Sequence, residues 1–227
     1  MPWFTPSSRS LTLTVAGGPK ADWSYYPPPD LPEHAKPGVT INFNADLVNA
    51  GDSPGYLFLD VFDQYGKLIA SVTSPTPISP GDEWSATAKY TMESRDIEVL
   101  YSIGHLSDSS KVGDKIGKPN KNKILYEVET TIDLYLSPST VPPGGTVRAY
   151  GYLWRRDTGA GISGKTIAIT VDTVVSATTT TGADGFFEKY FTAPTTPKTY
   201  TVTASFAGGA NPGGGYLKPA AAVAVWW

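Results

Sequence analysis

Between Val141 and Phe206 short alternating runs follow one another, each closed by turn chemistry, and no other feature limits the possible folds as much. Val141-Pro-Pro-Gly-Gly-Thr-Val is a Pro/Gly turn feeding an alternating run, and Lys165-Thr-Ile-Ala-Ile-Thr-Val is a second run. Thr178-Thr-Thr-Thr-Gly-Ala-Asp-Gly-Phe-Phe is a threonine strand closed by an Asp-Gly turn, and Tyr200-Thr-Val-Thr-Ala-Ser-Phe-Ala-Gly completes the series. Side chains with a period of two belong to strands, and turn signals every ~8–12 residues predict an all-β sandwich.

The first half carries the same grammar. Val39, Ile41, Phe43, Ala45 and Leu47 share one face and Asn42, Asn44 and Asp46 the other, the pattern of an antiparallel strand with one wet side. Tyr56 to Phe62 is apolar on nearly both faces and predicts a central strand. Lys67 to Val72, the Trp84/Ala86/Ala88/Tyr90 alternation and Ile97 to Ile103 follow, the last expected to close the sandwich. At 227 residues the chain has room for two small domains. The expected division is an N-terminal arm (1–10), a first sandwich (11–106), a Lys-rich loop and crossing segment (107–130) and a second sandwich (131–227). Leu11-Thr-Leu-Thr-Val reads as a strand. Tyr25-Tyr-Pro-Pro-Pro-Asp-Leu-Pro is too proline-rich to pair, and serves either as a stiff crossing between sheets or as a ligand for a partner groove.

Composition removes several functions. With no cysteine there are no disulfides, thiolate metal sites or thiol nucleophiles. Charged residues are only 17% of the chain, and 18 basic against 21 acidic residues give a formal charge of −3, so no broad field draws nucleic acid to it. No run reaches the roughly 18 apolar residues of a membrane helix. The two histidines, His34 and His105, lack a second histidine or a carboxylate at metal-ligand spacing. Neither a Gly-x-Ser-x-Gly elbow nor a Ser-Lys pairing in context is present, and Asp60, Asp63, Asp82 and Glu83 sit beside turns. We therefore expect no enzyme and no cofactor. Calcium is the one metal weighed, but Asp157, Asp172 and Asp184 are isolated and each serves better as a turn former. Gly113-Asp-Lys-Ile-Gly-Lys has the wrong spacing for a phosphate loop, and the lysines from Lys111 to Lys123 read as a solvated loop or as contact with an acidic patch on a partner, glycan or nucleic acid.

Four motifs in order make residues from about Thr131 to Val225 resemble the bacterial immunoglobulin-like repeats of surface proteins and adhesins. They are Ser137-Pro-Ser-Thr-Val-Pro-Pro-Gly-Gly-Thr-Val, Gly161-Ile-Ser-Gly-Lys-Thr-Ile, Thr179-Thr-Thr-Gly-Ala-Asp-Gly-Phe-Phe and Thr199-Tyr-Thr-Val-Thr-Ala-Ser-Phe-Ala-Gly. The resemblance implies that Tyr200 is a tyrosine corner and that Tyr200, Val202, Ala204 and Phe206 face inward. Pro37-Gly-Val-Thr, Leu47-Val-Asn-Ala-Gly-Asp-Ser-Pro-Gly and Ile78-Ser-Pro-Gly-Asp make the first half resemble the CARDB adhesion modules of archaeal and bacterial surface proteins, which implies a non-catalytic extracellular sandwich. The fold class expected is thus all-β, two antiparallel immunoglobulin-like sandwiches in tandem.

The candidate site lies on the wrong side of one strand. In Thr146-Val-Arg-Ala-Tyr-Gly-Tyr-Leu-Trp the repeat pattern sends Val147, Ala149, Gly151 and Leu153 inward, which leaves Arg148, Tyr150, Tyr152 and Trp154 outside, where such repeats carry serine and threonine. Arginine and aromatics are enriched at protein interfaces and in stacked sugar sites. The stripe packs within the chain, meets another chain, or stacks on carbohydrate. Trp226 and Trp227, expected on opposite faces of a final strand, and Trp3 and Phe4 in the arm are further candidate contacts. Met1-Pro-Trp-Phe-Thr lacks a secretion signal, so if Met1 is the natural start a virion location is expected. The expected function is a non-enzymatic, oligomeric structural subunit of a virion, contacting other protein subunits. The alternative is an extracellular or cell-surface adhesin or carbohydrate-binding module.

Overall fold

The computed structural model describes residues 18–24, 30–107, 110–172 and 174–226, and the side chains of 114, 174–176 and 226 lie outside that description. The arm at 1–10, the strand expected at Leu11–Val15 and the Tyr25–Pro29 part of the proline-rich segment fall outside it too. Every described element is a strand, so none is a helix long and apolar enough to cross a membrane. The chain divides into two compact units: residues 1–31, 40–90 and 98–122 form the first, and 32–39, 91–97 and 123–227 the second.

In the first unit, β1 (Ala21–Trp23), β2 (Thr40–Asn49) and β5 (Glu83–Thr91) make a three-stranded sheet in the order β1-β2-β5. The facing sheet has the order β4-β3-β6-β7, from β3 (Leu57–Phe62), β4 (Leu68–Thr73), β6 (Leu100–Ser107) and β7 (Ser110–Gly117). The β2 alternation holds from Ile41 to Leu47, with Phe43 and Leu47 fully buried. Across the sheets Phe43 meets Tyr101 edge-on at 6.2 Å between ring centroids. Two expectations are corrected. Val39 precedes β2 and is exposed. The lysine-rich stretch is not a loop: Ser110–Gly117 pairs antiparallel with β6, so Ile97–Ile103 does not hold the last strand. Its pattern hid it because this is an edge strand, where lysines discourage further pairing and no inward apolar row is needed. Lys115 Nζ is 2.5 Å from Asp22 on β1, and Lys111 Nζ is 2.5 Å from the buried Asp60 on β3.

The second unit repeats this plan. β8 (Thr130–Ile132) and β9 (Tyr135–Ser137) pair in turn with β10 (Thr146–Arg155), which also pairs with β13 (Phe186–Thr192). The other sheet runs β12-β11-β14-β15, from β11 (Thr166–Val171), β12 (Val174–Thr180), β14 (Tyr200–Phe206) and β15 (Ala220–Trp226). One apolar core joins them: Val147, Ala149 and Leu153 of β10 and Phe187 of β13 meet Ile167 and Ile169 of β11 and Val202, Ala204 and Phe206 of β14. Two facing antiparallel sheets, three strands against four in the first unit and four against four in the second, make the immunoglobulin-like sandwich layout. Both units have it. The Tyr200 hydroxyl donates to the Thr196 carbonyl at 2.7 Å, four residues upstream, which makes it a tyrosine corner. Gly185, at φ 81°, takes the positive-φ place of the Asp-Gly turn, while Asp184 Oδ1 accepts from the Phe186 amide at 3.0 Å.

Candidate functional site

Alternation in β10 puts two chemically unlike rows on its two sides. Val147, Ala149, Gly151 and Leu153 are buried, and Arg148, Tyr150, Tyr152 and Trp154 are half-buried on the outer side. Gly151 is inward because nothing larger fits: a Cβ there would stand 2.0 Å from the Asp133 carbonyl oxygen. The strand is therefore pinned, and with it the outward row.

Register brings further rings to that row. Tyr135 of β9 sits opposite Tyr150, and Phe186, Glu188 and Tyr190 of β13 sit opposite Tyr152, Tyr150 and Arg148. The contacts run along the face. Arg148 lies over the Tyr150 ring at 4.5 Å, Tyr150 approaches Tyr135 at 5.5 Å, and Tyr152 meets Phe186 edge-on at 5.3 Å. Tyr152 and Trp154 are stacked at 5.6 Å with 13° between ring planes. Arg148 donates from Nε to Glu188 at 2.8 Å, and this hydrogen bond raises its guanidinium above the ordinary value and ties down the charge at one end of the row. The rings shield one another, yet Tyr135 and Tyr190 remain 52% and 58% exposed, so the sheet's outer surface stays open and aromatic. Beyond Trp154 a shallow cavity of about 320 Å³ is lined by Thr131, Trp154, Arg155, Arg156 and Gly159.

Four of the expected contact residues, Arg148, Tyr150, Tyr152 and Trp154, thus belong to one surface. Trp226 is described only as backbone, paired with Tyr200 in the other sheet and so away from this surface, and Trp227, Trp3 and Phe4 lie outside the described residues. Sequence reasoning missed Tyr135, Phe186, Glu188 and Tyr190. The signal was present in Phe186-Phe-Glu-Lys-Tyr-Phe, where an inward Phe187 and Phe191 require Phe186, Glu188 and Tyr190 to face out.

Elsewhere, acidic groups are engaged structurally. Asp157 pairs with Arg155, Asp172 with Lys198, and Asp63 Oδ1 accepts from the Tyr65 and Lys67 amides. Among the described residues no group of three or more His, Asp or Glu is placed to hold a metal ion. His34, which has no carboxylate at metal-ligand spacing in the sequence, meets one 93 positions away: Nδ1 is 2.8 Å from Glu127 while the ring stacks on Tyr216 at 4.0 Å. Burial pushes the Glu127 carboxyl up, but the hydrogen bonds from His34 and Lys218 prevail and hold it below its ordinary value.

No family model matches the chain, and no curated protein matches it either. Among solved structures it is similar to the fibronectin(III)-like modules of CbhA from Clostridium thermocellum, at 15% identity over 89% of this chain and 92% of that one, with a TM-score of 0.39. The D0-D1 domain of intimin shares 14% identity over 86% of this chain and 93% of that one, TM-score 0.31. The ectodomain of mouse nectin-like molecule 4 shares 14% over 92% and 64%, TM-score 0.28. These likenesses are distant, and the immunoglobulin-like assignment stands on strand order, core and tyrosine corner.

Proposed function

We propose that the chain is a non-enzymatic structural subunit of a surface assembly, joined to neighbouring protein subunits through the outer face of the β8/β9-β10-β13 sheet. In the finer form of this reading the first unit is a CARDB-like adhesion module, the second a surface repeat of bacterial or archaeal type, and the assembly a virion vertex, turret or spike. The observation that carries it is the aromatic surface. Tyr135, Tyr150, Tyr152, Trp154, Phe186 and Tyr190 cover a sheet face with the residue types that supply interface hot spots. A contiguous aromatic face of this kind marks an interaction site on a soluble protein.

Light scattering of the full chain tests it. The wild type is expected to form a defined oligomer, and the Tyr152→Ser/Trp154→Ser variant to lose it while keeping its circular dichroism spectrum, since both side chains stand outside the core. A clean single chain for both proteins sinks the reading.

A second reading, an adhesin or carbohydrate-binding module, is favoured by the near-parallel Tyr152 and Trp154 rings, a flat platform on which a pyranose can stack. Its signature is saturable quenching of tryptophan fluorescence by a glycan, abolished by Trp154→Ala.

A further inference from the structure

A sheet of four strands in a single order has two free edges, and each unit has one such sheet, β4-β3-β6-β7 in the first and β12-β11-β14-β15 in the second. Three of the four edges are disrupted. The pairing of β3 with β4 shifts register between Val61 and Phe62, that of β6 with β7 between Ile103 and Gly104, and that of β11 with β12 between Ile169 and Thr170. Such bulges twist an edge away from further pairing. On β7 the lysines add a second deterrent, Lys111 pairing with Asp60 on β3 and Lys115 with Asp22 on β1 of the facing sheet. β15 has neither device. It runs in unbroken register against β14 from Ala220↔Phe206 to Trp226↔Tyr200, and Ala220-Ala-Ala-Val-Ala-Val-Trp holds no charge and no proline. Among the described residues nothing pairs with its outer side, and Val223 and Val225 are 64% and 53% exposed.

We propose that β15 pairs edge to edge, antiparallel, with β15 of a second copy of this chain, joining two four-stranded sheets into one of eight strands. This deepens the assembly reading above and rests on it. The second copy is the occupant because the strand is complementary to itself. Antiparallel pairing about the middle of Ala220–Trp226 sets Val223 opposite Val223 and Ala221 opposite Val225 on the exposed side, and Ala222 opposite Ala224 on the other. Every pair named is apolar, with no like charges meeting. A two-fold axis also closes the contact. Both β15 edges are consumed, and the joined sheet ends at two β12 edges, each behind its bulge, so the product is a dimer rather than a fibre.

Sedimentation velocity of the full chain and two charge variants tests this. Wild type is expected as a species containing β15-paired dimers. Val223→Lys and Val223→Glu each place like charges face to face at the axis and weaken that pairing about 100-fold, while an equimolar mixture of the two recovers it. Recovery in the mixture shows that both variants fold. The proposal is overturned if Val223→Lys associates as wild type does, or if the mixture fails to recover the species that the single variants lose. If Val223→Lys associates normally and Tyr152→Ser/Trp154→Ser does not, the edge contact fails and the assembly reading stands. A wild type that stays a single chain overturns both.

Discussion

β2 in the first unit and β10 in the second occupy the same place in the same sheet, ten residues each, and their inward rows are built alike: Ile41, Phe43, Ala45 and Leu47 against Val147, Ala149, Gly151 and Leu153. Their outward rows have nothing in common. On β2, Asn44 Oδ1 accepts from Thr87 Oγ1 at 2.9 Å and Asp46 Oδ1 from Ser85 Oγ at 2.7 Å, so the face is a wet polar ladder satisfied within its own sheet. On β10 the corresponding row is Arg148, Tyr150, Tyr152 and Trp154, carried on a surface that continues into β9 and β13. The inward row answers to packing and has little freedom. The outward row is indifferent to folding, and it is there that two otherwise parallel domains diverge.

The comparison breaks most visibly at the third inward position. Ala45 is accommodated in β2, whereas the Asp133 carbonyl leaves no room for a methyl at Gly151. Gly151→Ala is expected to lower stability by about 3 kcal/mol, the upper range for overpacking, because the obstructing atom is backbone and cannot rotate away. Denaturant unfolding measures it, and a loss below about 0.5 kcal/mol would show that β8 and β9 shift freely. The next effect tests the outward side of the first unit's other sheet, where Asp60 is buried under Lys111 and Lys111 also lies over Phe58 at 4.8 Å. Lys111→Met leaves the Asp60 charge with Ser71 at 2.6 Å and is expected to lose about 2 kcal/mol, below the full value for a buried pair because the lysine is 36% exposed. Asp60→Leu in the same background should restore most of the loss.

Legibility followed the same division. Strands with one clean buried row, β2, β10, β11 and β14, were readable because alternation reports burial directly, and Tyr200, Val202, Ala204 and Phe206 face inward as the repeat pattern requires. The aromatic row on β10 was readable as the remainder of that pattern. What escaped depended on pairing between distant residues. β7 has no apolar row, its lysines finding carboxylates on β1 and β3. Tyr135, Phe186 and Tyr190 join the aromatic surface only through a cross-strand register that no local periodicity encodes, and His34 meets Glu127 across 93 positions.

A smaller effect separates two buried tyrosines. Tyr200 donates to Thr196, while the Tyr101 hydroxyl is buried with no hydrogen-bond partner among the described residues, and burial pushes its pKa far up. Tyr200→Phe removes a made bond and is expected to cost about 1 kcal/mol. Tyr101→Phe removes only an unsatisfied hydroxyl and should be neutral or stabilising by up to ~1 kcal/mol. Opposite signs in urea midpoints sharpen the contrast between the units, and equal losses would mean that the Tyr101 hydroxyl is hydrogen-bonded in solution.

The smallest expected effect is that of acid on the link between β1 and β7. The hydrogen bond from Lys115 holds the Asp22 carboxyl below its ordinary value, outweighing the burial that pushes it up. A carboxylate depressed in the folded state contributes stability that is fully present above its unfolded pKa, about 4, and is lost as pH falls through the lower folded value. With the Asp22 side chain 32% exposed, solvent screening keeps the contribution under about 1 kcal/mol. Asp22→Asn should therefore flatten the acid limb of the stability curve below pH ~4 and leave its neutral-pH slope unchanged. Because β7 is the edge that lysines defend and β15 the edge without charge, an unchanged acid limb would mean that Lys115 acts on β7 by discouraging pairing alone, without tying the strand to β1.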